Sequence, residues 1–227
     1  MTFSLLARDE KSGALAGAAA TGSLCVGGWV LRGRWNAGLS ASQGAAPSTL
    51  WGESVLDRMA AGAAAAAALA GTVAPDPNRD WRQLSTLDRQ GGTAGHSGAQ
   101  NSALCSHIAR PGAVAAGNIL SGEEVLHALL DAWDNAGGPP ALRLLAALEA
   151  AQAAGGDTRG LKSAALLVLQ ADRPPLTLRI DLSEDPLRDL RALHMASASG
   201  SYERWTHAVP VEIDPTRADA ALIRADG

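Results

Sequence analysis

Thr2 follows the initiator Met1 directly and carries the side chain best placed by its chemistry for catalysis. A small second residue favours removal of Met1. Thr2 would then hold a hydroxyl and a free α-amine on one residue. A terminal amine titrates at about 7.7–8.0, so at neutral pH an appreciable fraction can accept a proton. Such an amine can serve as base for its own hydroxyl. That chemistry belongs to an amide-bond hydrolase working through an acyl ester. The alternative is that Met1 stays and Thr2 is only a strand former.

A nucleophile of this kind needs an oxyanion donor and a cation that keeps its amine neutral. Backbone N–H groups near the first strands, or the Asn118 amide, could donate. Arg8, Arg32 or Lys162 could supply positive charge. Ser42 and Gln43 end a predicted strand ahead of a predicted helix, where ligands often approach. Gln43 could orient an amide or carboxylate there, or be a satisfied core residue. Asp157, Arg159 and Ser163 follow a helix end and its Gly155-Gly156 pair. They could form the polar rim of a pocket for a small polar ligand, or tie a helix-to-strand connection by an Asp–Arg contact. His96, His107, His127, His194 and His207 have no ligand spacing, and Cys25 and Cys105 stand in unrelated contexts. No metal and no cofactor are expected. Neither a phosphate loop nor a dinucleotide fingerprint occurs.

These residues need a scaffold. Residues 3–7 read as a strand, 9–13 as a turn and 14–20 as a returning strand of small residues. Residues 24–31 and 38–43 read as two more strands. Val55, Leu56 and Met59 recur at helical spacing, and the alanine run 63–68 continues as a second short helix after Gly62, ended by Gly71 and Pro75. Residues 81–87 and 93–96 form another hairpin. The Ser- and Gly-rich stretch up to Gly112 reads as a long loop, and 113–118 as a short strand. Ser121 and Glu124 have the spacing of a capping box. The helix they open places Val125, Leu126, Leu129, Leu130 and Trp133 on one face. Pro139-Pro140 opens an antiparallel partner helix. Residues 163–170 read as a central apolar strand. Leu176, Leu178, Ile180 and Leu182 alternate as in a half-buried strand. Asp185-Pro186 opens a helix with Leu187, Leu190 and Leu193 inward. The tail docks as a short helix around 202–209.

Helices thus come in pairs between strand pairs, whereas doubly wound proteins alternate them singly. The order predicts an α+β fold, a four-layer αββα sandwich with two stacked, mainly antiparallel sheets and helix layers outside. One domain spans 1–227, with 1–195 carrying the pattern and 196–227 a docking tail.

The chain has 227 residues and a net charge of -4. Its Lys and Arg are scattered, so nucleic acid is not an expected partner. Residues 13–31 carry no charge, but they are mostly Gly, Ala, Ser and Thr and follow Asp9, Glu10 and Lys11. A signal peptide would have a basic start and a Leu-rich centre. No membrane partner is expected, and two free thiols suit a soluble cytoplasmic protein. A homo-oligomer could bury one helix face.

Several motifs carry a family resemblance. They are the opening Thr2-Phe3-Ser4-Leu5-Leu6-Ala7-Arg8-Asp9, the Gln43 region, and Gly117-Asn118-Ile119-Leu120-Ser121-Gly122. The longest runs from Gln152 through Gly155-Gly156-Asp157-Thr158-Arg159-Gly160 to Leu166. Over about the first 195 residues, an ordinary domain size, the chain resembles a bacterial and archaeal family known as domain of unknown function 1028. That family is similar in fold to the N-terminal nucleophile (Ntn) hydrolases, αββα sandwiches that use a Thr, Ser or Cys at the start of the first strand. The resemblance implies Thr2 as nucleophile. It brings no established activity, so a non-catalytic metabolite-binding or assembly protein on the same fold stands as the alternative.

Overall fold

The computed structural model describes residues 2–101, 104–156 and 160–224, apart from the Arg224 side chain. Alternation builds its first element. In β1 (Thr2–Arg8), Phe3, Leu5 and Ala7 face one way and Thr2, Ser4 and Leu6 the other. β2 (Leu15–Thr21) returns antiparallel through a turn closed by Asp9, which accepts from the Ser12 amide at 2.9 Å. A short helix α1 (Val26–Trp29) leads to β3 (Leu31–Arg34) and β4 (Gly38–Gly44). Then come α2 (Thr49–Ala60), α3 (Ala65–Val73), a single 3₁₀ turn, and the strands β5 (Arg82–Asp88), β6 (Thr93–Ser97), β7 (Leu104–Arg110) and β8 (Ala113–Leu120). Helices α4 (Glu124–Asn135) and α5 (Pro140–Ala153) precede β9 (Ser163–Leu169) and β10 (Leu176–Ile180). The chain continues through α6 (Pro186–Ser197), α7 (Gly200–Thr206) and α8 (Ala220–Arg224).

The strands form a six-stranded sheet in the order β10-β9-β2-β1-β8-β7 and a four-stranded sheet in the order β3-β4-β5-β6. All pairings are antiparallel. The two sheets stack face to face, and the edge strands β6 and β7 meet along one side. Helices α4, α5 and α6 cover the outer face of the larger sheet, and α2 and α3 that of the smaller. This is the αββα sandwich expected from the element order.

Small residues let the layers approach. Ala16, Ala18 and Ala20 of β2 meet Ala147 and Ala151 of α5 in one core, joined by Phe3, Leu5, Leu126 and Leu129. A second core lies between the sheets and gathers Leu6, Leu15, Leu39, Leu87, Val114 and Leu169. A third packs Trp51, Val55, Leu56 and Leu69 of α2 and α3 on Leu84. The apolar packing between the sheets fills only part of the interlayer. Toward the Thr2 end of β1 the facing residues become Ser4, Gln43, Gln83 and Ser85, all buried.

Four expectations are corrected. Residues 24–31 are not one strand. Cys25 adopts φ 60 and starts α1, whose Gly27 lies so close to Ala165 and Arg179 that a Cβ would sit 2.8 Å from the Ala165 Cβ. The predicted long loop before Gly112 contains β7. That strand is a half-exposed edge, and a register shift between Leu104 and Ser106 breaks its alternation. The Ser121 capping box does not form. Helix α4 starts at Glu124 after Glu123, without a side-chain cap, while Ser121 Oγ occupies the space beside Gly155. Finally, Leu182 lies beyond the end of β10 and is exposed.

Candidate functional site

The register of the larger sheet collects one polar row at its edge. Thr2 stands opposite Thr21 of β2 on one side and opposite Asn118 of β8 on the other. Thr21 in turn stands opposite Ser163 of β9. Directly opposed residues share a face, and here that face looks toward the smaller sheet. Thr2 Oγ1 and Thr21 Oγ1 are 3.0 Å apart. Asn118 is only 4% exposed, and its Nδ2 has no hydrogen-bond partner among the described residues. The next residue, Ile119, has φ 56. A β-branched residue in the left-handed region is an outlier, and such strain persists only where its surroundings impose it. It coincides with the irregular β7–β8 pairing, a bulge that re-aims the chain beside Asn118.

The smaller sheet answers with a hydrogen-bonded chain. Gln43 Nε2 donates to Gln83 Oε1 at 2.7 Å. Gln83 Nε2 lies 2.8 Å from Ser97 Oγ, 2.9 Å from Ser106 O and 3.0 Å from Gly117 O. Gln83 thereby ties β5 to the β7–β8 bulge across the gap between the sheets. Ser97 Oγ is 2.9 Å from His107 Nδ1. The His107 ring lies on Gly95, where a Cβ would overlap it. Burial, and then the neighbouring His96, hold the His107 pKa below its ordinary value. The ring is therefore neutral at neutral pH. Burial raises the Cys105 thiol against a weaker opposing contact with Ser97. Gln43 Oε1, Ser4 Oγ and Ser85 Oγ are buried without partners among the described residues. Unmatched polar atoms of both sheets thus face one interlayer, beside Thr2.

The other predicted residues are distributed differently. Ser42 faces away from this interlayer, and its Oγ donates to Ser48 O at 2.7 Å beneath α2. Ser163 Oγ donates to Ser23 O at 2.8 Å and accepts from the Val26 amide at 3.1 Å. Both hydroxyls are committed to backbone. Asp157 and Arg159 lie outside the described residues. Arg8 sits at the far end of β1, where its Nε donates to Arg89 O. Arg32 pairs with Glu53 at 2.9 Å against α2. Of the three candidate cations, only Lys162 adjoins the polar row, its backbone amide donating to Thr21 O at 2.9 Å. Sequence reasoning missed Thr21, Gln83, Ser97 and His107. One signal was available: Gln83 and Ser85 are two residues apart in a predicted strand and so share one face, which the structure buries.

Among the described residues no three His, Cys, Asp or Glu side chains gather as a metal site. Nor is any helix long and apolar enough to cross a membrane.

The architecture defines the class: two stacked antiparallel sheets between helix layers, with a polar interlayer at one end. The chain belongs to the family of unknown function DUF1028, whose sequence profile matches residues 2–190. A crystal structure of that family, protein SPO2555 from Silicibacter pomeroyi, is similar to it. The two are 46% identical, the match covers 96% of this chain and 95% of that one, and the TM-score is 0.92. No curated protein matches the chain significantly.

Proposed function

We propose that this protein is an amide-bond hydrolase of Ntn-hydrolase type, whose nucleophile is Thr2 Oγ1 once Met1 is removed. The observation that carries the reading is the Asn118 amide nitrogen, buried, without a partner among the described residues and directly opposite Thr2. A buried donor without an acceptor costs roughly 1–3 kcal/mol. An oxyanion that forms only during reaction would repay that cost where it matters.

The chemistry follows. The free Thr2 amine takes the Oγ1 proton as Oγ1 attacks the carbonyl carbon of the substrate amide. The carbonyl oxygen becomes an oxyanion and accepts from Asn118 Nδ2. Collapse breaks the C–N bond, and the departing amine takes the proton held on the Thr2 ammonium. Water then attacks the Thr2 ester, with the same amine as base, and releases the acid. The Thr21 hydroxyl, 3.0 Å from Oγ1, orients the nucleophile. The cation assigned to keeping the amine unprotonated is Lys162, whose backbone amide donates to Thr21 O. Free thiols at Cys25 and Cys105 suit a cytoplasmic setting.

Intact-mass measurement tests the reading, followed by incubation with a β-lactone that acylates nucleophilic hydroxyls. Loss of Met1 and one adduct on Thr2, absent in Thr2→Ala, are expected. Turnover of an amide panel by protein that retains Met1, or by Thr2→Ala, would overturn it.

Gln43 Oε1, without a partner among the described residues, favours a second reading, a non-catalytic protein that binds a small polar metabolite here. A ligand that stabilises the fold and is recovered intact supports that reading. Recovery of a cleaved product removes it.

A further inference from the structure

A cavity of about 900 Å³ opens beyond the other end of β1, between the β1–β2 turn, the start of α5, and helices α6 and α7. β1 is 7 residues long, so Thr2 is separated from this cavity by about 20 Å of strand. A volume of this size suits a small organic ligand. Three features of its wall identify the chemistry.

The first is a buried hydrogen-bonding group. His194 of α6 is 8% exposed, lines the cavity, and has an Nδ1 without a partner among the described residues. A buried polar atom of this sort is normally satisfied. The second is an aromatic platform. Tyr202 and Trp205 of α7 line the same space, 52% and 43% exposed, with ring centroids 5.7 Å apart at 42°. The third is the charge balance. Asp9 is neutralised by Arg143 at 2.7 Å, and Asp134 by Arg110 at 2.5 Å. Glu203 is engaged by His207. Lys11 and Arg173 also line the cavity, and among the described residues neither has a carboxylate partner. Arg173 Nη1 is hydrogen-bonded to the His207 ring, 2.8 Å from its Nε2. Asp9 and Asp134 each have an arginine partner, while Lys11 and Arg173 have no carboxylate partner among the described residues.

We propose that this cavity binds a planar aromatic monocarboxylate with a polar atom in or on the ring. The ring lies on Tyr202 and Trp205, the acid meets Arg173 and Lys11, and the polar atom meets the His194 imidazole where it lines the cavity. Aromatic rings stack at low entropic cost, and a guanidinium matches a carboxylate by two parallel hydrogen bonds.

Titration calorimetry and tryptophan fluorescence on the full chain test the assignment. The probes are 4-hydroxybenzoate, nicotinate and indole-3-carboxylate, with 4-hydroxybenzamide and cyclohexanecarboxylate as controls. At least one aromatic acid should bind saturably, and both controls at least tenfold more weakly. Arg173→Met and Trp205→Ala should each lower affinity at least tenfold. Trp205→Phe should keep most of it, which separates lost stacking from a misfolded α7. Thr2→Ala should bind as the parent does, so the fate of the hydrolase reading does not decide this one. The assignment is overturned if no aromatic acid binds below about 1 mM, the weak end of specific affinity. Equal binding of either control, or unchanged affinity in Arg173→Met, would also overturn it.

Discussion

Asn118 lies directly across the β1–β8 ladder from Thr2, with its amide nitrogen buried and unsatisfied among the described residues. Stability and activity should therefore respond to this side chain with opposite signs. Asn118→Leu keeps the volume and removes an orphan donor, so unfolding in urea should cost the same or about 1 kcal/mol more. Amide turnover should fall about 10²- to 10³-fold in kcat with little change in KM, the signature of a lost oxyanion donor. A variant that loses stability and keeps its turnover would make Asn118 structural.

Gln83 carries the opposite burden. One amide holds Gln43, Ser97 and two carbonyls of the β7–β8 bulge. Gln83→Met fills similar space but strands the Ser106 and Gly117 carbonyls between the sheets. A loss of about 2–3 kcal/mol in urea unfolding is expected, since stranded buried acceptors keep their desolvation cost. Gln43→Met should cost less, because Gln43 supplies only one of those bonds.

The sequence made the layer order legible because hydrophobic periodicity follows from burial. Val125, Leu126, Leu129, Leu130 and Trp133 pack inward as their spacing requires. It made Thr2 and Asn118 legible as chemical types, and the ladder then set them opposite each other. It did not reveal β7, whose polar edge and bulge imitate a loop. Nor could it reveal the Gln43–Gln83–Ser97–His107 chain, because those contacts depend on how two sheets stack across a gap. Ser42 and Gln43 are adjacent in sequence, yet a strand sends them to opposite faces. Only Gln43 reaches the polar interlayer.

Gly95 is required by what covers it. Gly95→Ala would thrust a methyl into the His107 ring and push it off Ser97. A loss of about 1–3 kcal/mol is expected, the usual range for overpacking a closed site. Gly62→Ala meets no atom within 4 Å, but its φ of 95 strains the backbone instead. In the double variant Gly95→Ala, His107→Ala the steric part of the loss should disappear, read as a non-additive cycle.

Acid should destabilise the fold in two stages. In the folded chain, burial lowers the pKa of His107 and His194, the latter helped by Arg191. The unfolded chain binds these protons at about pH 6.5 and the folded chain resists them. The stabilisation is full above that pH and is lost as pH falls through the lower folded values. Asp9 follows the same sign at lower pH. Burial opposes its ionisation, but Ser12 and Arg143 outweigh this and hold its carboxyl below the usual range. Its contribution is lost only below about pH 4. Urea midpoints should decline first below about pH 6.5, and His107→Asn should flatten part of that first decline while leaving the second.

Ile119 should separate local strain from function. Holding a β-branched residue at φ 56 costs roughly 1–2 kcal/mol against glycine. Ile119 is partly exposed, so little apolar burial is lost on truncation. Ile119→Gly should leave stability level or raise it by up to about 1 kcal/mol in urea unfolding. The relaxed bulge would then allow Asn118 to leave the row opposite Thr2. Turnover should drop at unchanged or higher stability, while affinity for aromatic acids at the distant cavity stays as it was. Ile119→Val keeps the branch and the strain, so its turnover should match the parent's. If glycine and valine behave alike in both assays, the left-handed turn does not aim Asn118.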